Sequence, residues 1–180
     1  MLRLFFALQP TLELNVSLVE QVAPVVARLG AQRVPPENLH ATLCFLGAVA
    51  EEKLPRLLAT AAGIRCPSAT LRFDALEYWQ KPKVVCVTAV EDLAATPARE
   101  LAERLAAATV EAGFAPDVKP FRPHMTLARK VSRARALECE WPCALAPPVT
   151  VWFERFVLMR SDRGASGSVY SAVESWALDA

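Results

Sequence analysis

The chain contains two histidines, and both open the same four-residue pattern: His40-Ala41-Thr42-Leu43 and His124-Met125-Thr126-Leu127. Successive side chains of a β-strand point to opposite faces, so a His and a Thr two positions apart project into the same space. A lone pair of this kind is ordinary, since both residue types occur freely in strands and a single strand histidine is usually structural. Two copies that use every histidine in the chain constrain the fold far more. They require two strands in equivalent positions whose His–Thr faces meet. The two copies read as facing halves of one active site.

The segments around the motifs repeat in the same order. Residues 11–30 read as a helix with Leu12, Val16, Val19, Val22 and Val26 near one face, Pro24 as a kink or break, and Gly30 as a stop. The extended connector Val34-Pro35-Pro36-Glu37-Asn38 then feeds a strand over 38–46 that carries the first motif and ends at Gly47. Later, Thr96 as cap and Pro97 at the first position start a helix over 96–112, stopped by Gly113. It leads through a second Pro-punctuated connector, 114–123, into a motif strand reaching about residue 130. Between the two units lie a helix over 51–62, with Pro55 in its first turn, and strands over 70–79 and 84–90. A first strand over 2–9 and last strands over 149–160 and 168–178 complete the chain, the last two joined by a Gly/Ser-rich loop over 162–167. The expectation is a single α+β domain over residues 1–180. It is bilobal, with two antiparallel β-sheets facing a central cleft, helices packed outside and a pseudo-two-fold repeat.

Composition removes several function classes. The formal net charge is +1, unlike the large basic excess of proteins that grip long nucleic acids through many phosphates. No apolar run is long enough for a transmembrane helix. The opening Met1-Leu2-Arg3-Leu4-Phe5-Phe6-Ala7-Leu8 carries a single charge and reads as a strand rather than a signal peptide. The five cysteines are scattered without a C-x-x-C, which suits free thiols in a reducing, cytoplasmic compartment and no structural metal. A basic run, Lys119, Arg122, Arg129, Lys130, Arg133 and Arg135, surrounds the second motif. It is either a solvated face or a small anion site beside His124.

Other residues carry a functional and a structural reading side by side. Alternation puts Cys44 on the His40–Thr42 face, where a chemical role competes with inert packing. Phe121 is a candidate to stack on a nucleobase, or a core residue. Tyr78 and Trp79 form a second stacking candidate, and Tyr170 reads as packing.

With their flanks, the motifs resemble a known family. Val34-Pro35-Pro36-Glu37-Asn38-Leu39-His40-Ala41-Thr42-Leu43 with Phe45-Leu46-Gly47, and Phe121-Arg122-Pro123-His124-Met125-Thr126-Leu127-Ala128-Arg129, are similar to the two signatures of the 2H phosphoesterases. The resemblance is to the RNA 2′,3′-cyclic phosphodiesterase branch, once called 2′-5′ RNA ligases. Arg3-Leu4-Phe5-Phe6-Ala7-Leu8 and Ser168-Val169-Tyr170 extend it over nearly the whole chain. It implies metal-independent hydrolysis of terminal 2′,3′-cyclic phosphates on RNA or short oligonucleotides, with no cofactor, no membrane and no obligate protein partner. The protein is expected to be a monomer, with weak reverse 2′-5′ ligation.

Such a reaction needs an acid and a base on opposite sides of phosphorus, and imidazole suits both tasks near neutrality. The resemblance implies His40 as proton donor, His124 as proton acceptor and a 2′-phosphate product. The residues alone support the pairing and leave the roles open. Thr42 and Thr126 supply hydroxyls to the non-bridging oxygens. The resemblance also puts Arg129 on the phosphate, whereas strict alternation places it on the opposite face and favours Lys130, unless the strand ends, twists or bulges. Rival readings are the same chemistry on 2′-5′-linked oligonucleotides or an ADP-ribose-type cyclic phosphate, a non-catalytic nucleotide-binding module, and a metal enzyme.

Overall fold

The computed structural model describes residues 1–117, 119–164 and 167–179. In chain order the elements are β1 (Leu2–Leu8), α1 (Leu12–Arg28), β2 (Gln32–Arg33), β3 (Ala41–Val49), α2 (Leu54–Ala62), β4 (Ala69–Trp79) and β5 (Val84–Ala89). They continue with α3 (Thr96–Glu111), β6 (His124–Arg129), α4 (Arg133–Ala136), β7 (Cys143–Phe153), β8 (Arg155–Gly164) and β9 (Gly167–Ala177). The class is α+β, as expected. No helix among the described residues is long and apolar enough to cross a membrane.

The strands form a nine-stranded sheet in the order β7-β4-β5-β6-β3-β1-β8-β9, with β2 beside β6. All pairings between these strands are antiparallel. The two separate sheets expected from the sequence are therefore one hydrogen-bonded ladder. Its thinnest point is the seam between β3 and β6, where the register is the single pair Ala41↔Met125. That seam joins the two motif strands directly.

One face of the sheet carries the main core. Leu4, Phe6 and Leu8 of β1 meet Leu18, Val22 and Val26 of α1, Leu57 and Ala61 of α2, and Leu101 and Leu105 of α3 in one buried cluster. The other face of β1 contributes Phe5 and Ala7 to a small separate cluster with Val157 and Met159, against which Phe45 and Tyr170 pack. Coverage on both faces explains why β1 is an unbroken apolar run from Leu4 to Leu8 rather than an alternating one.

Several local expectations change. In α1 the inner stripe is Asn15, Leu18, Val22 and Val26, while Leu12 and Val16 stand 60% and 39% exposed. The stripe is shifted because Asn15, a polar residue, occupies the inner face and donates from Nδ2 to the Pro36 carbonyl at 2.9 Å. Pro24 does not divide α1. It lies on the solvent side, where water can satisfy the carbonyl that its missing N–H leaves free. The connector ahead of the first motif tightens into a 3-10 turn over Pro36–Asn38. Asp92, rather than Thr96, caps the approach to α3: its carboxylate accepts from Ala95 N at 3.1 Å, and the 3-10 turn Leu93–Ala95 runs on into the helix. The strand expected over 149–160 is two strands broken at Glu154, β7 on one side of the sheet beside β4 and β8 on the other beside β1. Val118 of the second connector, and Ala165 and Ser166 of the expected hairpin loop, lie outside the described residues.

Candidate active site

The seam assembles the site. Because β3 and β6 are antiparallel with Ala41 opposite Met125, His40 stands across from Thr126 and Thr42 across from His124. Diagonal positions on paired strands lie about 7–8 Å apart. The two imidazoles thus occupy one diagonal of a four-residue rectangle and the two hydroxyls the other. All four side chains line one cleft of about 260 Å³ on the face away from the helices.

Each motif strand then does what alternation does not foresee. In β3 the pairing slips between Phe6 and Ala7, so that Ala7 faces Thr42 while Phe6 faces Cys44 and Leu43 is left over. In β6 it slips between Val85 and Cys86, leaving Leu127 over in the same way. An extra residue reverses the parity of everything after it. Phe45, five residues after His40, and Arg129, five residues after His124, therefore return to the cleft face and line it. Cys44 is turned away: it is buried, and it borders an apolar cavity beside α3 with Leu43. The structure thus turns Arg129 to the cleft face, by way of the bulge that alternation required.

Both rings are held in the same manner. Nδ1 of His40 is 2.7 Å from the Asn38 carbonyl, and Nδ1 of His124 is 2.7 Å from the Arg122 carbonyl, each two residues upstream. A carbonyl only accepts, so each Nδ1 bears the hydrogen, and in the neutral ring Nε2 is the bare nitrogen. His40 is wedged between Phe5, with ring centroids 4.8 Å apart, and the edge of Tyr170 at 5.0 Å. The ring of His124 lies 4.3 Å from that of Trp79.

A carboxylate stands behind His124. Glu77 accepts from Trp79 Nε1 at 2.9 Å, from Arg122 Nη2 at 2.7 Å and from Thr88 Oγ1 at 3.3 Å. The Arg122 guanidinium also lies over the Trp79 ring, 5.0 Å from its centroid. Glu77 therefore fixes both the ring packed on His124 and the residue whose carbonyl orients it.

Electrostatics keep the cleft short of protons. Burial pushes the His40 imidazole down to about 4, helped by the charges of Arg129 and His124 and opposed by the Asn38 carbonyl. Burial also lowers His124; Arg122 adds to the shift, and its own backbone carbonyl and Glu77 oppose it. Thr126 Oγ1 lies 3.7 Å from Cys86 Sγ, a thiol that burial pushes up to about 12.

Two sequence candidates fall outside the cleft. Phe121 lines the apolar cavity beside α3 and packs against the main core, so the connector before β6 turns it away from the histidines. Lys130 adopts a left-handed backbone with φ +55°, and it borders a neighbouring groove instead of the cleft. The basic run divides accordingly: Lys119 pairs with Asp117 at 2.6 Å, Arg122 with Glu77, and Arg129 turns to the site, where Nη2 donates to Tyr170 Oη at 3.3 Å. Sequence reasoning missed Arg3, Phe5, Phe45, Ser161, Ser168 and Tyr170, which also line the cleft. For Arg3 and Phe5 the signal was present, since both share one face of β1.

A model of the 2′-5′ RNA ligase superfamily matches residues 13–165. A protein of Escherichia coli strain K12 described as RNA 2′,3′-cyclic phosphodiesterase is 30% identical over 182 aligned residues, covering 98% of this chain and 96% of that protein. A Thermus thermophilus protein of the same description is 34% identical over 193 aligned residues, covering 98% and 90%. The crystal structure of E. coli LigT complexed with 3′-AMP superposes with a TM-score of 0.85 at 29% identity, over 98% of each chain. With a family model spanning most of the sequence and relatives this similar along nearly their whole lengths, the chain belongs to the 2′-5′ RNA ligase superfamily.

Proposed function

We propose that the protein hydrolyses the 2′,3′-cyclic phosphate at an RNA 3′ end, leaving a 2′-phosphate, without a metal ion. The observation that carries this reading is the seam geometry: two imidazoles on one diagonal, each with Nδ1 tied to a carbonyl and Nε2 left for chemistry. The names of the E. coli and T. thermophilus relatives point to the same reaction.

A phosphorus atom at the centre of the rectangle has an imidazole on either side. His124 Nε2 takes a proton from water as the water oxygen bonds to phosphorus. The bond from phosphorus to O3′ breaks, and His40 Nε2–H delivers a proton to the departing oxygen. His40 must then be charged when substrate is bound. The phosphate anion raises its pKa from the low value that burial sets. Thr42, Thr126 and Arg129 flank the phosphate on the other diagonal and at its end, where fixed donors stabilise charge on the non-bridging oxygens. The protein is further proposed to act as a cytoplasmic monomer, a setting that suits its five free thiols.

The test is incubation with an RNA ending in a 2′,3′-cyclic phosphate and identification of the product end. A 2′-phosphate is expected, formed at an undiminished rate in excess chelator, with a bell-shaped pH profile. His40→Ala and His124→Ala should each lower turnover by about 10²–10⁴-fold. Full activity of His40→Ala would remove it from the acid role.

A further inference from the structure

A cleft of about 260 Å³ lies below the usual ligand-pocket range of about 300–1,000 Å³. It can hold the reacting phosphate and ribose, and whatever else the substrate carries must rest on adjoining surfaces. One such surface is a groove of about 570 Å³ that shares Arg129, Ser168 and Tyr170 with the cleft. It runs between the segment from β2 through the connector and the start of β9. Asn38 bridges the two walls: its Nδ2 donates to the Ser168 carbonyl at 3.1 Å, and its Oδ1 accepts from Tyr170 N at 3.4 Å. The groove is therefore a built feature of the fold, tied to the residue whose carbonyl orients His40.

Its charge is one-sided. Arg33, Arg129 and Lys130 line it against a single carboxylate, Glu37. Among the described residues, none of the three cations forms an ion pair, although Lys119 and Arg122 of the same basic run do. Lys130, in a left-handed backbone conformation just past the end of β6, is among the residues that line this groove. Toward Arg3 and Phe45 the cleft differs: the Arg3 guanidinium lies over the Phe45 ring, 4.8 Å from its centroid, a flat surface on which a base can stack.

We infer that this groove binds the phosphate on the 5′-oxygen of the terminal nucleotide, across one ribose from the reacting ring, so that the preferred substrate is a chain end and not a bare nucleoside cyclic phosphate. The inference rests on the cyclic-phosphodiesterase reading above. It names which part of an RNA the protein grips beyond the reacting group: one phosphate, which a net charge of +1 permits without the large basic excess of long-tract binders.

The experiment compares three substrates: a nucleoside 2′,3′-cyclic phosphate, its 5′-phosphorylated form, and a dinucleotide ending in the same cyclic phosphate. For the wild type, kcat/KM should rise about tenfold with either 5′-phosphate, the factor one charge-assisted hydrogen bond supplies. Arg33→Gln and Lys130→Asn, the latter chosen because Asn tolerates a left-handed backbone, should each lose most of that gain while turning over the bare nucleoside substrate as the wild type does. That unchanged turnover also verifies folding. Arg56→Gln on α2 should change nothing. The salt dependence of dinucleotide cleavage should flatten in Arg33→Gln by about 0.7 in log–log slope for each phosphate no longer neutralised. Equal rates on all three wild-type substrates would overturn the groove and leave the cyclic-phosphodiesterase reading standing. A gain confined to the dinucleotide would place the interaction on its extra ribose or base and overturn the phosphate assignment. No turnover of any substrate would overturn the parent reading.

Discussion

At the scale of single residues, the histidines are poised by what surrounds them. Rings buried against Phe5, Tyr170 and Trp79 resist protonation, whereas the same histidines in the unfolded chain titrate near 6.5. Between that value and about 4, the unfolded chain binds the extra proton at His40 and the folded one does not. Stability contributed by the neutral ring is thus fully present above pH 6.5 and is lost as pH falls through this window, levelling off below about 4. Denaturant midpoints of the wild type should drop between pH 7 and pH 4.5, and His40→Ala should show a smaller drop. An equal drop in both would mean that His40 contributes nothing to the acid sensitivity. The pairing of each His with its Thr was legible from two-residue spacing. Tyr170 was not, because an aromatic in a late strand carries no mark separating packing from ring orientation.

At the scale of elements, the instructive feature is the pair of bulges. The extra residues, Leu43 and Leu127, are ordinary strand residues, so nothing in either strand alone announces that Phe45 and Arg129 return to the cleft. Alternation therefore sent Cys44 and Lys130 to the site and Arg129 away from it, and the structure reverses all three. Both slips fall three residues after the histidine. The end of β4 is a second element with a job at a distance. Through Glu77 it clamps Trp79 and Arg122 around His124. Glu77→Ala should leave KM nearly unchanged and lower kcat by about 10–100-fold, the range for a catalytic group displaced by about an ångström. The pH profile should shift with it, because Glu77 helps to hold up the His124 pKa. A fall in kcat with an unmoved profile would reduce Glu77 to a purely structural prop.

For the whole molecule, the repeated order of helix, connector and motif strand was legible, and so were the α+β class and the strand positions up to β6, the two-residue β2 excepted. The joining of strands into one sheet was not, since neighbours across the seam come from distant parts of the chain and leave no local trace. The same holds for β7 and β8, which read as one extended run and lie on opposite sides of the sheet. Met125 sits at the seam, fully buried in the main core. Met125→Ala should cost about 2–5 kcal/mol of unfolding free energy, measured by chemical denaturation. The single registered pair beneath it has a further result. Neither side of the sheet owns both imidazoles, so under the proposed reading a partly made chain would hold half a relay, and the first turnover would mark the moment at which two distant stretches have docked.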